Sequence, residues 1–102
     1  MITTQQLFKA VKDHAEKTYG TQRDPEKMVD DLLEAVEGLG KEVRRRKQGI
    51  ITEHIDLLVE IGEVQINLFE LCQRMGVCFN SWNDAIRIKH RINVKGNIGS
   101  KE

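Results

Sequence analysis

Proline is almost absent from this chain. Pro25 is the only one in 102 residues, so little in the sequence interrupts a helix. Cysteine is nearly as scarce, with Cys72 and Cys78 alone. They form no CxxC pair and have no histidine at metal spacing, which argues against a disulfide scaffold or a zinc site. Cys72 sits in an apolar helical pattern and reads as a small buried hydrophobe. Aromatic residues make up only 5% of the chain. No apolar stretch reaches the roughly 18 residues that a membrane-spanning helix needs. The opening "MITTQQLFKAVKDH" also lacks the apolar run of a signal peptide, so the expectation is a cytoplasmic protein that does not enter a membrane. Net charge is missing too. Sixteen basic and sixteen acidic residues cancel, leaving no whole-molecule field to draw in nucleic acid.

What remains is short, charged and helical. A chain of this length suits one domain, and small domains often gain stability by pairing with copies of themselves. Charged residues reach 31%. Thr3 followed by Gln6 fits a capping box for a first helix over about 4–17, with Leu7, Val11 and Ala15 as its stripe and Gly20 as its stop. "RDPEKM" opens a second helix, with Asp24 as cap and Pro25 in the first turn; "VRRRKQ" and Gly49 close it. A third helix runs from about Thr52 or Glu53 to Met75, before Gly76. A fourth begins after Asn80 or Ser81 and ends near Ile92. The expected fold is an all-α, four-helix bundle over 1–95, with a flexible C-terminal tail over 96–102.

The second helix carries the first clue to chemistry. In "DDLLEAVEGLGKEV", Asp30, Asp31, Glu34 and Glu37 fall within an arc of roughly 120°, and Gly38 lies inside it. Lys41, four residues beyond Glu37, can pair with it. Met28, Val29, Leu32, Val36, Leu39 and Val43 take the opposite side. Such a helix either shows its charges to water or offers them to a cation. On the third helix, apolar residues cover about two thirds of the circumference, as expected of a central helix. The remaining strip holds Glu53, Asp56, Glu60, Glu63, Asn67 and Glu70. Like charges so placed repel, and desolvation magnifies the cost unless a cation shares them. A solvent slot in a bundle is the other explanation. Oxygen ligands without histidine or cysteine suit Mg²⁺, or Mn²⁺, rather than zinc.

Helix four offers Lys89 in the middle of the arc formed by Trp82, Ala85, Ile86, Ile88 and Ile92. It either lays its stem on apolar surface or aims its ammonium into the acidic cleft to meet a triphosphate. Arg91 lies on the other face, where it can serve a neighbouring subunit. The run Arg44, Arg45, Arg46 and Lys47 sits at a helix C-terminus, where the dipole accounts for it, and no aromatic residues interleave with it; nucleic-acid binding is not expected. His14, His54 and His90 are isolated. "GLGKEV" lies within a helix and is no P-loop.

These residues together resemble the MazG-like, all-α nucleotide pyrophosphohydrolases, whose motif is ExxE, often EExxE, on one helix and ExxD on the next. "DDLLE" (Asp30 to Glu34) is similar to the first half, with "EAVE" (Glu34 to Glu37) as a rival register. "EIGE" (Glu60 to Glu63) is similar to the second, followed by a long apolar helix ending in Gly76-Val77. The similarity spans roughly 24–95. It implies Asp31, Glu34, Glu60 and Glu63 as metal ligands, with Glu37 in the rival register. It implies Glu34 and Lys89 as catalytic, Lys89, Arg91 and Asn67 as substrate-binding, and Glu37 or Asp56 as water-orienting. The implied reaction is Mg²⁺-dependent cleavage of a nucleoside triphosphate, NTP or dNTP, to a monophosphate and pyrophosphate, by a homodimer or homotetramer.

Asp31 and Glu63 depart from the family's acids, each by one methylene, and a shift of about an ångström can cost a large factor in rate. The alternative is therefore a non-catalytic helical oligomer, or a nucleotide-binding or interaction protein, on the same scaffold.

Overall fold

The computed structural model describes residues 1–100, with side chains described through 96. It is all-helical: α1 (Thr4–Tyr19), α2 (Pro25–Lys47), α3 (His54–Arg74) and α4 (Phe79–Ser100). Among the described residues there is no strand, and no helix is long and apolar enough to cross a membrane.

The caps form as their residues dictate. The Gln6 amide donates to the Thr3 hydroxyl at 3.1 Å while the Thr3 amide donates to Gln6 Oε1 at 2.8 Å. Asp24 accepts from the Glu26 amide at 3.1 Å, with Pro25 in the first turn. At α3, the Glu53 amide donates to the Asp56 carboxylate at 3.0 Å. Gly20 and Gly76 end α1 and α3 at φ +79°, a conformation that costs glycine little.

Helices α2 and α3 form the central hairpin, and α1 packs on α3. The hairpin is antiparallel: Arg46 Nη2 donates to the Glu53 carbonyl at 2.6 Å near the turn, and further along Gly38 lies against Glu60. Two side chains at the end of α3 grip main chain elsewhere. Gln73 Nε2 donates to the Phe8 carbonyl at 2.7 Å, and Arg74 Nε donates to the Arg23 carbonyl at 2.7 Å.

Most of the few aromatic rings are gathered in one place. Phe8, Val11 and Phe69 are buried together, with Phe79 and Trp82 packed against them. Trp82 meets Phe69 edge-on, with centroids 4.8 Å apart, and Phe8 meets Phe69 at 4.9 Å. This cluster holds the first turn of α4. Beyond it, Ile86, Ile88, Ile92 and Val94 are exposed.

Three expectations change. Helix α4 runs to Ser100 rather than ending near Ile92, reaching into the segment 96–102 assigned to a tail; residues 101–102 lie outside the described residues. Helix α2 does not turn one apolar side to the core. Met28, Ala35 and Glu42 are its buried residues, while Val29, Val36 and Val43 are exposed. Ala35 is small and Glu42 is charged, so hydrophobic weighting alone misplaces the packed face. Helix α3 is covered by α2, by α1 and, near Phe69, by the first turn of α4, which leaves Ile55, Leu58, Val59 and Ile61 exposed.

Candidate functional site

A cleft of about 570 Å³ opens between α2 and α3, closed at one end by α1. Asp31 and Glu34 come to it from α2, and Glu60, Glu63 and Asn67 from α3. The spacing of three within each acid pair puts both members on one face of their helix, and the antiparallel register brings the two faces together. Gly38 is part of that register. A β-carbon there would stand 2.6 Å from Glu60 Oε1, so the bare backbone of α2 is where the Glu60 carboxylate rests. Glu63 accepts from Asn67 Nδ2 at 3.2 Å, and the same amide donates to the Glu63 carbonyl at 2.8 Å. Asn67 therefore holds Glu63 rather than standing free for a ligand.

The other end of the cleft is lined by His14, Tyr19, Arg23 and Glu70. Arg23 Nη1 donates to Glu70 at 2.9 Å and Nη2 to Asp31 at 3.4 Å. The guanidinium lies 4.1 Å from the centroid of the Tyr19 ring. The arginine and Glu70 side chains are only 17% and 10% exposed, whereas Asp31 is 51% exposed. The Glu70 contact is thus the short, dry one, and the Asp31 contact is the long, wet one.

Other expected residues stand elsewhere. Glu37 is exposed, does not line the cleft, and forms no ion pair with Lys41. Asp56 caps α3 and lines a separate recess with Glu42, Arg45 and Val59; Glu60 borders both hollows. Lys89 and Arg91 lie on the exposed part of α4 and line neither.

Sequence reasoning did not find Arg23, Tyr19 or His14 as cleft residues. They come from α1 and its linker, and only tertiary packing brings that segment to the acids. It also missed Glu42, a buried carboxylate that accepts from Arg46 Nε at 3.1 Å.

Among the described residues, no three acids, histidines or cysteines converge closely enough to form a metal cage. Magnesium seldom needs one. It is commonly held by one or two carboxylates, its own waters and substrate phosphates. The carboxylates Asp31, Glu34, Glu60 and Glu63 fit that mode, with the His14 imidazole at the other end of the cleft.

Searches against family models, curated proteins and solved structures gave no match.

Proposed function

We propose that this protein is a Mg²⁺-dependent nucleoside triphosphate pyrophosphohydrolase, releasing a monophosphate and pyrophosphate from an NTP or dNTP. One observation carries the reading: Asp31 and Glu34 on α2 and Glu60 and Glu63 on α3 line a single cleft, in the order of the acidic pairs that resemble the MazG-like motif. One or two of Asp31, Glu34, Glu60 and Glu63 would hold the ion, together with its waters and phosphate oxygens. When bound, the ion neutralises phosphate charge and acidifies a water.

The chain's own groups prepare the cleft. Asn67 orients Glu63, and Gly38 leaves room for Glu60. Arg23 is the cleft's resident cation. With Nη1 held by Glu70, its Nη2 is free to meet a phosphate oxygen if Asp31 turns toward the ion. In this reading Lys89 and Arg91, lying outside the cleft of their own chain, serve substrate only across a subunit boundary. The working unit is a homodimer or homotetramer.

A second reading has its own support. Arg23 already meets Asp31 and Glu70 as a cation would, which suits a non-catalytic oligomer or nucleotide-binding protein on the same scaffold.

Purified protein incubated with canonical and modified NTPs, with and without Mg²⁺, separates the two. The hydrolase releases pyrophosphate only with the metal and loses that release in Glu34→Gln. Nucleotide or Mg²⁺ binding without turnover identifies the second.

A further inference from the structure

A second hollow, of about 640 Å³, lies between the first turns of α1 and the turn that joins α3 to α4. It shares no residue with the acidic cleft, and among the described residues no carboxylate lines it. Its size falls within the roughly 300–1000 Å³ of small-molecule sites.

One part of its wall is apolar. Phe8, which is buried, and Phe79, which is half-buried, meet edge-on with centroids 5.7 Å apart, and Val77 stands beside them. The uncharged polar side chains are largely spent on the protein itself. Gln73 donates to the Phe8 carbonyl, and Thr3 and Gln6 cap α1 together.

The charges that remain are positive. Lys9 and Lys12, three residues apart on one face of α1, bring two ammonium groups to the hollow. Lys9 also meets Asp13 at 3.0 Å, in an exposed pair that holds it weakly. Lys12 has no ion pair among the described residues. Cys78 and Phe79 bring the start of α4 to the same space, and with it the positive end of that helix's dipole. The acidic group in the lining is the Cys78 thiol, bonded to Ser81 Oγ at 3.4 Å.

Aromatic surface beside unneutralised cations is complementary to a molecule that joins a ring to one negative group. A bare oxyanion would leave the phenyl surface wet, and a neutral hydrocarbon would leave the ammonium groups unused. We infer that the hollow between α1 and the α3–α4 turn binds a small, free aromatic monoanion, its ring against Phe79 and Val77 and its carboxylate toward Lys9 and Lys12. This site is independent of the acidic cleft, so it stands or falls apart from nucleotide hydrolysis.

The probe is 2-naphthoate, with 2-naphthamide as its uncharged counterpart, titrated into the full chain by calorimetry. One naphthoate is expected per chain, with the amide about tenfold weaker or more. Location is read through Cys78. With naphthoate at about ten times its Kd, alkylation of Cys78 by iodoacetamide should slow about tenfold, while that of Cys72 is unchanged. Lys12→Glu should weaken naphthoate about tenfold, whereas the same reversal at Lys27, outside the hollow, should not. Should Lys12→Glu fail to fold, Lys12→Met is read instead, with a smaller loss in the same direction. No saturable naphthoate binding, equal binding of the amide, undiminished alkylation of Cys78, or wild-type affinity in the folded Lys12 variant overturns the proposal.

Discussion

Glu60 of α3 occupies the space that a side chain on Gly38 of α2 would fill, with its Oε1 2.6 Å from where the β-carbon would stand. This explains a glycine in the middle of an acidic helix. It weakens α2 intrinsically but lets a neighbouring carboxylate lie against bare backbone.

Gly38→Ala is expected to separate stability from function. The clashing atom is the tip of a flexible side chain, which can swing away at little cost. Gaining alanine's helix propensity, worth about 1 kcal/mol, should leave the variant as stable as wild type or more so in urea melts. Mg²⁺ affinity by calorimetry and any pyrophosphate release should fall, because Glu60 has moved. Gly62→Ala is the control. Its new methyl meets nothing within 4 Å, so it should raise stability by a similar amount and leave binding unchanged.

Arg23→Met strands Glu70. Breaking a largely buried pair by removing one partner costs about 3 kcal/mol, and urea denaturation should show a loss of that order. Glu70→Met strands Arg23 similarly. Changing both removes the uncompensated charge, so the double variant should lose less than the sum of the singles. Strict additivity would mean that the 2.9 Å contact contributes no coupling.

The aromatic cluster predicts a graded pair. Phe69→Ala empties the centre of the core and should cost about 3–5 kcal/mol. Trp82 is only half-buried at the edge of the cluster and, with Phe79, attaches α4 to it. Trp82→Ala should cost less globally, while amide exchange along α4 accelerates relative to α2 and α3.

The two thiols should differ in reactivity. A hydrogen bond with Ser81 holds the Cys78 thiol below its ordinary pKa, and burial pushes the Cys72 thiol up. Thiolate is the reacting form, so below pH 9 iodoacetamide should label Cys78 first, by mass spectrometry of digests. Ser81→Ala should slow Cys78 and leave Cys72 unchanged.

The helices were largely legible because their signals are local. Thr3 with Gln6, and Asp24 with Pro25, mark starts that need no knowledge of the rest of the chain. The pairing of Asp31 and Glu34 with Glu60 and Glu63 was legible for a related reason: helical periodicity fixes each face, and a short turn fixes the antiparallel order. Arg23 was not, since its place depends on Arg74 holding its carbonyl from the far end of α3. The surroundings of Lys89 were not legible either: its arc looks core-facing, yet Ile86, Ile88 and Ile92 of that arc are exposed. The packed side of α2 was hidden behind Ala35 and Glu42, residues that hydropathy counts as slight or hostile to burial.

Arg46 ties its own helix to the beginning of the next, accepting no freedom at either end: one nitrogen on Glu42, another on the Glu53 carbonyl. That clasp works as the zero mark of a ruler. Each residue of axial slip moves a side chain by about 1.5 Å, so an extra residue between Gly38 and Arg46, or between Glu53 and Glu60, would carry Glu60 away from Gly38 and uncouple the two acid pairs, although no cleft residue had been altered.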